Sequence, residues 1–221
     1  IDMDEILEFE GRARQGIQAL TRYMTAQGHT AMMAQMLEMF PKAPLAEVAS
    51  LPFDEVQSRF SYYDISALKR YGYHAPDNPL VDLLGENALT NPDMPFLFGG
   101  VRGKIFGENC CLTKHPLIFN GPGVTPAPHP HLSQGVRCSD VSMVLKHYKF
   151  ANDPGARDAA TVAGGVIGHG EDALRASRMS SDAALSLFSL DARPWNRVEL
   201  LRRAGFVQGS DAYDQMLEQM G

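Results

Sequence analysis

The chain is short of several things, and each shortage removes a class of protein. It has three cysteines, Cys110, Cys111 and Cys138, an odd number with two of them adjacent. That is no disulfide framework, and it favours a reducing compartment. No apolar run approaches the roughly 20 residues that a membrane-spanning helix requires. Basic side chains are outnumbered, 20 against 26 acidic ones, for a net charge of −6. A mildly acidic chain lacks the broad positive field that nucleic-acid binding draws on. What remains is an ordinary globular composition, long enough at 221 residues for one sizeable core or one core with a small appendage.

The opening residues are unusual. Ile1 is no initiator, no signal or transit peptide follows it, and Ile1 to Leu7 reads as the end of a buried strand running into a functional turn. The chain is therefore expected to begin inside a domain. A helix is expected over Arg12–Gln27, where Ile17, Leu20 and Met24 recur at helical spacing and Gly28 suits the left-handed stop. Ala31 to Phe40 is rich in methionine. Propensity favours a helix there, whereas its shortness and sharp ends also fit a buried strand. Pro44 to Phe60 reads as a linker with short helical turns. Tyr62 to Pro95, rich in Asn, Asp, Pro, Gly and Tyr, reads as a long surface loop.

Gly99 to Gly107 suggests a hairpin or bulged strand, Leu117 to Phe119 a short strand, and Gly121 to Pro130, with four prolines, an irregular stretch. The clearest strand is Asp140 to Phe150. Val141, Met143 and Leu145 share one face by period-two alternation, and His147 and Lys149 continue it, so a core strand ends with its tip in a site. After Asn152 the pattern turns helical: a helix opening at Asp153-Pro154, then Glu171–Met179, Asn196–Ala204 stopped by Gly205, and Asp211–Met220 capped by Ser210.

Candidate chemistry begins with Asp2-Met3-Asp4-Glu5. Carboxylates two apart on a tight turn can present oxygens to a hard divalent cation, which can then hold a diphosphate. Most short acidic clusters are solvated surface, so this one needs company. His129 and His131 alternate on an extended backbone and could ligate zinc. Without a third partner at fixed spacing, a pair of loop histidines is the plainer reading. In Lys146 to Phe150, His147 and Lys149 could hold a phosphate or a sugar hydroxyl, as could Arg102 and Lys104, and solvated surface charge is the alternative for each. Cys110 and Cys111 have no nucleophile context and read as small buried thiols.

Together these pieces resemble a bacterial branch of the family 2 glycosyltransferases. The resemblance is carried, in order, by Asp2-Met3-Asp4-Glu5, Glu38-Met39-Phe40, Gly99-Gly100-Val101-Arg102 leading to Phe106-Gly107, and Leu112-Thr113-Lys114-His115-Pro116-Leu117. His131, Ser139-Asp140-Val141 and Leu145 to Phe150 follow, so it extends over nearly the whole chain. It implies an α/β chain with a partial GT-A fold, a mixed sheet flanked by helices. Residues 1–150 would be the acceptor-side catalytic part and 151–221 a helical C-terminal region, and the nucleotide-binding half that precedes the acidic motif in such enzymes would be missing. The isolated chain is then expected to bind a nucleotide donor poorly.

The activity implied is inverting, metal-dependent transfer of a sugar from a nucleotide-sugar donor to a hydroxyl of a carbohydrate, lipid-linked or protein acceptor. The location implied is the cytoplasm or the cytoplasmic face of the inner membrane. By motif position Asp2, Asp4 and His131 would hold Mg²⁺ or Mn²⁺, with Glu5 in support. Arg102, His147 and Lys149 would line the donor or acceptor site, and Asp64 or Asp93 would be the general base. Met3 replaces the usual small residue between the aspartates and should point away from them. Two rival readings are a zinc-dependent hydrolase using His129 and His131, and a non-catalytic helical interaction module built on the C-terminal third.

Overall fold

The computed structural model describes residues 1–165 and 170–220. Strand β1 (Glu5–Glu8) leads into α1 (Arg12–Gln27), which Gly28 ends at φ 69° in the left-handed conformation. Then come β2 (Ala31–Glu38), a 3₁₀ turn over Leu45–Val48, α2 (Phe53–Arg59), β3 (Tyr62–Tyr63) and β4 (Leu68–Gly72). The chain continues through β5 (Ala88–Leu89), β6 (Pro95–Gly99), α3 (Gly100–Phe106), β7 (Thr113–Ile118), β8 (Thr125–His129) and β9 (Leu132–Gln134). The long strand β10 (Arg137–His147) precedes α4 (Pro154–Gly164), α5 (Glu171–Ser181), β11 (Arg193–Pro194), α6 (Val198–Arg203) and α7 (Asp211–Met220).

The main sheet is mixed, in the order β1-β10-β2-β7, with β5 joined to the start of β10. β10 runs parallel to β2, and β1 and β7 are antiparallel to their neighbours. Three two-stranded pairs, β3 with β11, β4 with β6 and β8 with β9, surround it. The fold is thus mixed α/β, with seven α-helices among the described residues.

Ala31 to Glu38 is a strand rather than the helix that methionine propensity favours, because it is sheet-central and covered on both faces. Met32, Ala34 and Met36 face the larger apolar cluster with Leu20, Leu145 and Phe150. Ala31 and Met33 face a second cluster with Tyr73, Phe96 and Leu132. Alternate side chains enter opposite layers, as the pleat requires, and burial overrides local propensity. Among the described residues the C-terminal stretch shares the main core: Leu187, Leu201, Phe206 and Tyr213 belong to the same cluster as β2 and β10.

Three further expectations are corrected. Gly99 to Gly107 forms no hairpin. Gly99 and Gly100 take φ values of 82° and 63°, turning the chain from β6 directly into α3. Tyr62 to Pro95 is not simply surface loop, since it contributes β3, β4 and β5 and buries Tyr73, Leu84 and Met94. Within 121–130, Thr125–His129 pairs with β9 despite its prolines. The helix expectations after Asn152 correspond to α4 to α7. Asp153 caps α4 by accepting from the Ala156 amide, and Ser210 Oγ accepts from the Tyr213 amide at 3.3 Å. The Cys110, Cys111 and Cys138 thiols are free and buried.

Candidate functional site

His147 and Glu38 are register partners at the C-terminal ends of the parallel strands β10 and β2, and Glu5 at the start of β1 pairs with His147 from the other side. Three strands therefore deliver their charged ends to one edge of the sheet. In open α/β sheets, this carboxyl edge is where ligands bind.

The acidic motif forms a turn. The Glu5 amide donates to the Asp2 carbonyl, the Asp2 amide donates to Glu5 Oε2 at 2.9 Å, and the Tyr148 amide donates to the Asp4 carbonyl. Met3, at the tip, points wholly into solvent, away from the two aspartate side chains. Glu5 is buried and closes the turn from within. The Lys114 ammonium donates to both Glu5 oxygens, at 2.8 and 2.9 Å, and to Asp2 Oδ2 at 3.0 Å. The Asp2 and Asp4 carboxylates stay accessible, at 71% and 34% exposure. Burial pushes the Asp4 pKa up, but the His147 imidazolium, 3.4 Å away, outweighs it and holds the group at about 2. For Asp2 the balance is the same, with Lys114 lowering its pKa against burial.

His147 sits between two carboxylates. Its Nδ1 lies 2.9 Å from Glu38 Oε1 and its Nε2 faces Asp4. Burial disfavours its charge, but the two anions reverse this and raise its pKa to about 9. Arg102 comes within 2.9 Å of Glu38, off-line for a hydrogen bond, and within 3.5 Å of Glu108. The chain of alternating charge continues inward. Arg175 holds Glu108 at 2.8 Å and Asp158 at 2.7 Å, and also contacts Asp172. A buried ionic chain therefore runs from the acidic turn through β10, β2 and α3 to the α4–α5 pair.

His131 is also drawn to this edge. The His115 amide, next to Lys114, donates to the His131 carbonyl. Burial, followed by the charges of Lys114, Arg102 and His147, lowers the His131 pKa to about 3. The ring is therefore neutral at physiological pH, and its Nδ1 is buried without a hydrogen-bond partner. Among the described residues no three His, Cys, Asp or Glu side chains already converge as a metal cage. The accessible Asp2 and Asp4 carboxylates are nevertheless the donor type that Mg²⁺ and Mn²⁺ take, and the neutral His131 imidazole has an unused nitrogen. Mg²⁺ characteristically takes only one or two carboxylates and completes its shell with substrate phosphate and water.

Other expected residues fall elsewhere. Lys149 lies beyond the end of β10, so the strand's face does not extend to it. It is half-buried beside Arg157, and burial with the Arg175 and Arg157 charges lowers its pKa. Asp64 accepts from Lys104 at 2.7 Å and from the Ser66 amide, tying α3 to the 189–191 segment where Lys104 also meets Asp191. Asp93 is exposed at the opposite end of the sheet, where its neighbour Asn91 donates to the Asp140 carbonyl near the start of β10. About seven residues, some 23 Å of strand, separate that end from His147. The structure therefore gathers Asp2, Asp4, Glu5, Arg102, His131 and His147, and it leaves Asp93 far away.

His129 and His131 lie against each other, with ring centroids 5.5 Å apart and the His131 amide donating to His129 Nδ1. No helix among the described residues is long and apolar enough to cross a membrane. Lys114, Glu38, Glu108 and Arg175 have no role in the sequence reading. Lys114 and Glu38 do stand within stretches that carry the resemblance, and this was the only signal available for them. Comparisons with family models, with curated proteins and with solved structures return no match to this chain.

Proposed function

We propose that this edge is the metal- and acceptor-side part of a GT-A-type glycosyltransferase, which moves a sugar from a nucleotide-sugar donor to an acceptor hydroxyl. The observation that carries the reading is the convergence of the Asp2–Glu5 turn with neutral His131 and three cations at the carboxyl ends of β2 and β10. Asp2, Asp4 and His131 would hold Mg²⁺ or Mn²⁺. When bound, the cation would neutralise charge developing on the departing diphosphate. Lys114 and Glu5 keep the turn closed, and Glu38 orients the His147 imidazolium toward Asp4. Arg102 lies behind Glu38 and supports it. Of the two aspartates expected as general base, Asp93 is remote and Asp64 is engaged by Lys104, so neither is assigned that role. A zinc hydrolase on His129 and His131 has less support, because His129 Nδ1 already accepts from the His131 amide.

The test is sugar transfer from UDP-, GDP- and dTDP-sugars in the presence of Mn²⁺, by a longer parent protein that carries this chain together with a nucleotide-binding half. Asp2→Asn and Asp4→Asn are each expected to lower turnover by about 100-fold or more, the scale on which removing one group that stabilises developing charge acts. Unchanged turnover in either variant would contradict the assignment.

A further inference from the structure

Just past the end of β10 the chain places two positive charges beside the acidic turn. The Tyr148 amide donates to the Asp4 carbonyl at 2.9 Å, so residue 148 anchors that turn. The Ala151 amide then donates to the Tyr148 carbonyl at 3.0 Å. Asn152 and Asp153 take φ values of 55° and 47°, which swings the chain round into α4. Arg157 stands in the first turn of that helix. Its Nη1 donates to the Ala151 carbonyl at 3.4 Å and its Nη2 to the Lys149 carbonyl. The guanidinium is thereby fixed over residues 149–151 with N–H groups to spare, and the side chain keeps 34% exposure.

Neither cation has a close counter-ion. Lys149, half-buried, makes no side-chain hydrogen bond and no ion pair among the described residues. The carboxylate that Arg157 meets, Asp158, stands 4.0 Å off and is held by Arg175 at 2.7 Å. Other acids of this edge are engaged as well, Glu108 by Arg175 and Glu38 by His147. A partly desolvated charge without a partner costs free energy until an anion reaches it.

Both charges are felt at the candidate metal site. Against the burial that pushes the Asp4 carboxyl up, His147 chiefly and Arg157 in addition hold it down. Glu38 is likewise held down against burial by His147 and Arg102, and after them by Lys149. An arginine fork fixed in place offers parallel donors to two oxygens, and a lysine adds a mobile point charge. Together they match a phosphate group.

We propose that Lys149 and Arg157 form a phosphate-binding pair on the rim of the candidate metal site, which holds its anion without help from a cation. Its place in catalysis rests on the transferase reading, whereas phosphate binding itself does not. Under that reading the phosphate belongs to the donor's diphosphate or to a phosphorylated acceptor.

The test is calorimetry of the full chain at low salt in EDTA, with inorganic phosphate, diphosphate and glucose 1-phosphate as probes. At least one of them should bind saturably, and added salt should weaken it. Lys149→Gln and Arg157→Gln should each lower affinity about tenfold, the scale of one charge-assisted hydrogen bond. Arg157→Lys, which keeps the charge and loses the fork, should fall between. Arg14→Gln, at an exposed arginine of α1, should leave binding unchanged. The Lys149 ammonium has no partner in the fold, so its variant tests binding rather than folding, and circular dichroism checks each variant. In the longer parent, a raised KM for donor or for acceptor in Lys149→Gln identifies which of the two carries the phosphate. No saturable binding of any probe, wild-type affinity in both glutamine variants, or an equal loss in Arg14→Gln would overturn the proposal. Because no cation is present, failure here leaves the metal site and the transferase reading standing. Unchanged turnover in the aspartate variants would, in turn, leave the phosphate pair standing.

Discussion

Replacing Arg175 with alanine is expected to cost about 3–5 kcal/mol of folding stability, the usual penalty for removing one partner from a buried ionic cluster. The Arg175 side chain is 2% exposed and neutralises Glu108 and Asp158, themselves 0% and 2% exposed. Without the guanidinium, two carboxylates remain buried near each other and must protonate or recruit water. The Glu108 pKa is already raised, chiefly by burial, so little further loss of counter-charge is tolerable. Domains are stable by only about 5–15 kcal/mol in total, so the variant should sit near the edge of folding. Arg175→Lys retains the charge but loses the rigid fork that serves Asp158 and Glu108 together, and it should fall between the two. Urea unfolding measures this. A loss below about 1 kcal/mol would mean that the cluster behaves as a solvated surface pair.

The second large effect is on pH dependence, and it follows from His147 and Glu38. Burial pushes the Glu38 pKa up, but the charges of His147 and Arg102 outweigh it and hold the group at about 2, below its ordinary 4.5. A depressed carboxyl stabilises the fold at pH above its ordinary value and loses that contribution as pH falls toward 2. His147 is the reverse case. Against burial, Glu38 and Asp4 raise it from 6.5 to about 9, so its contribution is complete below 6.5 and is lost as pH rises through 9. Arg102 faces the pair from α3 and keeps its charge across this range.

Stability should therefore decline by ~3 kcal/mol between pH 6.5 and 9.5 through His147. It should also decline below about pH 6.5, where the unfolded chain protonates His131 and His115 while the folded chain, with their pKa values lowered to about 3 and 4, does not. The Glu38 and His147 shifts report one interaction and are not summed. Glu38→Gln removes the main partner of His147, and the alkaline decline should shrink with it. Thermal unfolding of both proteins from pH 5 to 10 checks this. An equally steep alkaline decline in Glu38→Gln would trace the pH dependence to another group.

How far the sequence could be read depended on whether the signal was local. α1 was legible because Ile17, Leu20 and Met24 lie on one helical face and Gly28 supplies the stop. β10 was legible in type but not in extent. Its alternation of Val141, Met143 and Leu145 is real, whereas Lys149 was assigned to a face that ends at His147. β2 was ambiguous for a physical reason: a strand buried on both faces shows no alternation, so AMMAQMLE carries no period to read. α3 was missed because its cue, two consecutive glycines, equally suits a hairpin. Only the backbone reveals that their positive φ values redirect the chain into a helix.

The candidate site divides along the same line. Asp2, Asp4, Glu5, His131 and His147 stood out as residue types in suggestive order, and the structure brings them to one edge. The residues that hold them were silent, because their partners are distant in sequence. Lys114 meets Asp2 and Glu5 across 112 and 109 positions, and Glu38 meets His147 across 109. Asp93 was selected by type alone, and nothing local indicates that its loop belongs to the far end of the sheet.

The most direct measurement of the central claim is a Mn²⁺ titration of the protein, following the free ion by electron paramagnetic resonance. One Mn²⁺ per chain should bind, loosely enough to be removed by dialysis. The Asp2→Asn/Asp4→Asn double variant should lose at least about tenfold in affinity, with a smaller loss in His131→Ala. Identical Mn²⁺ binding by the wild type and the double variant would contradict the account, as would stoichiometric zinc surviving dialysis.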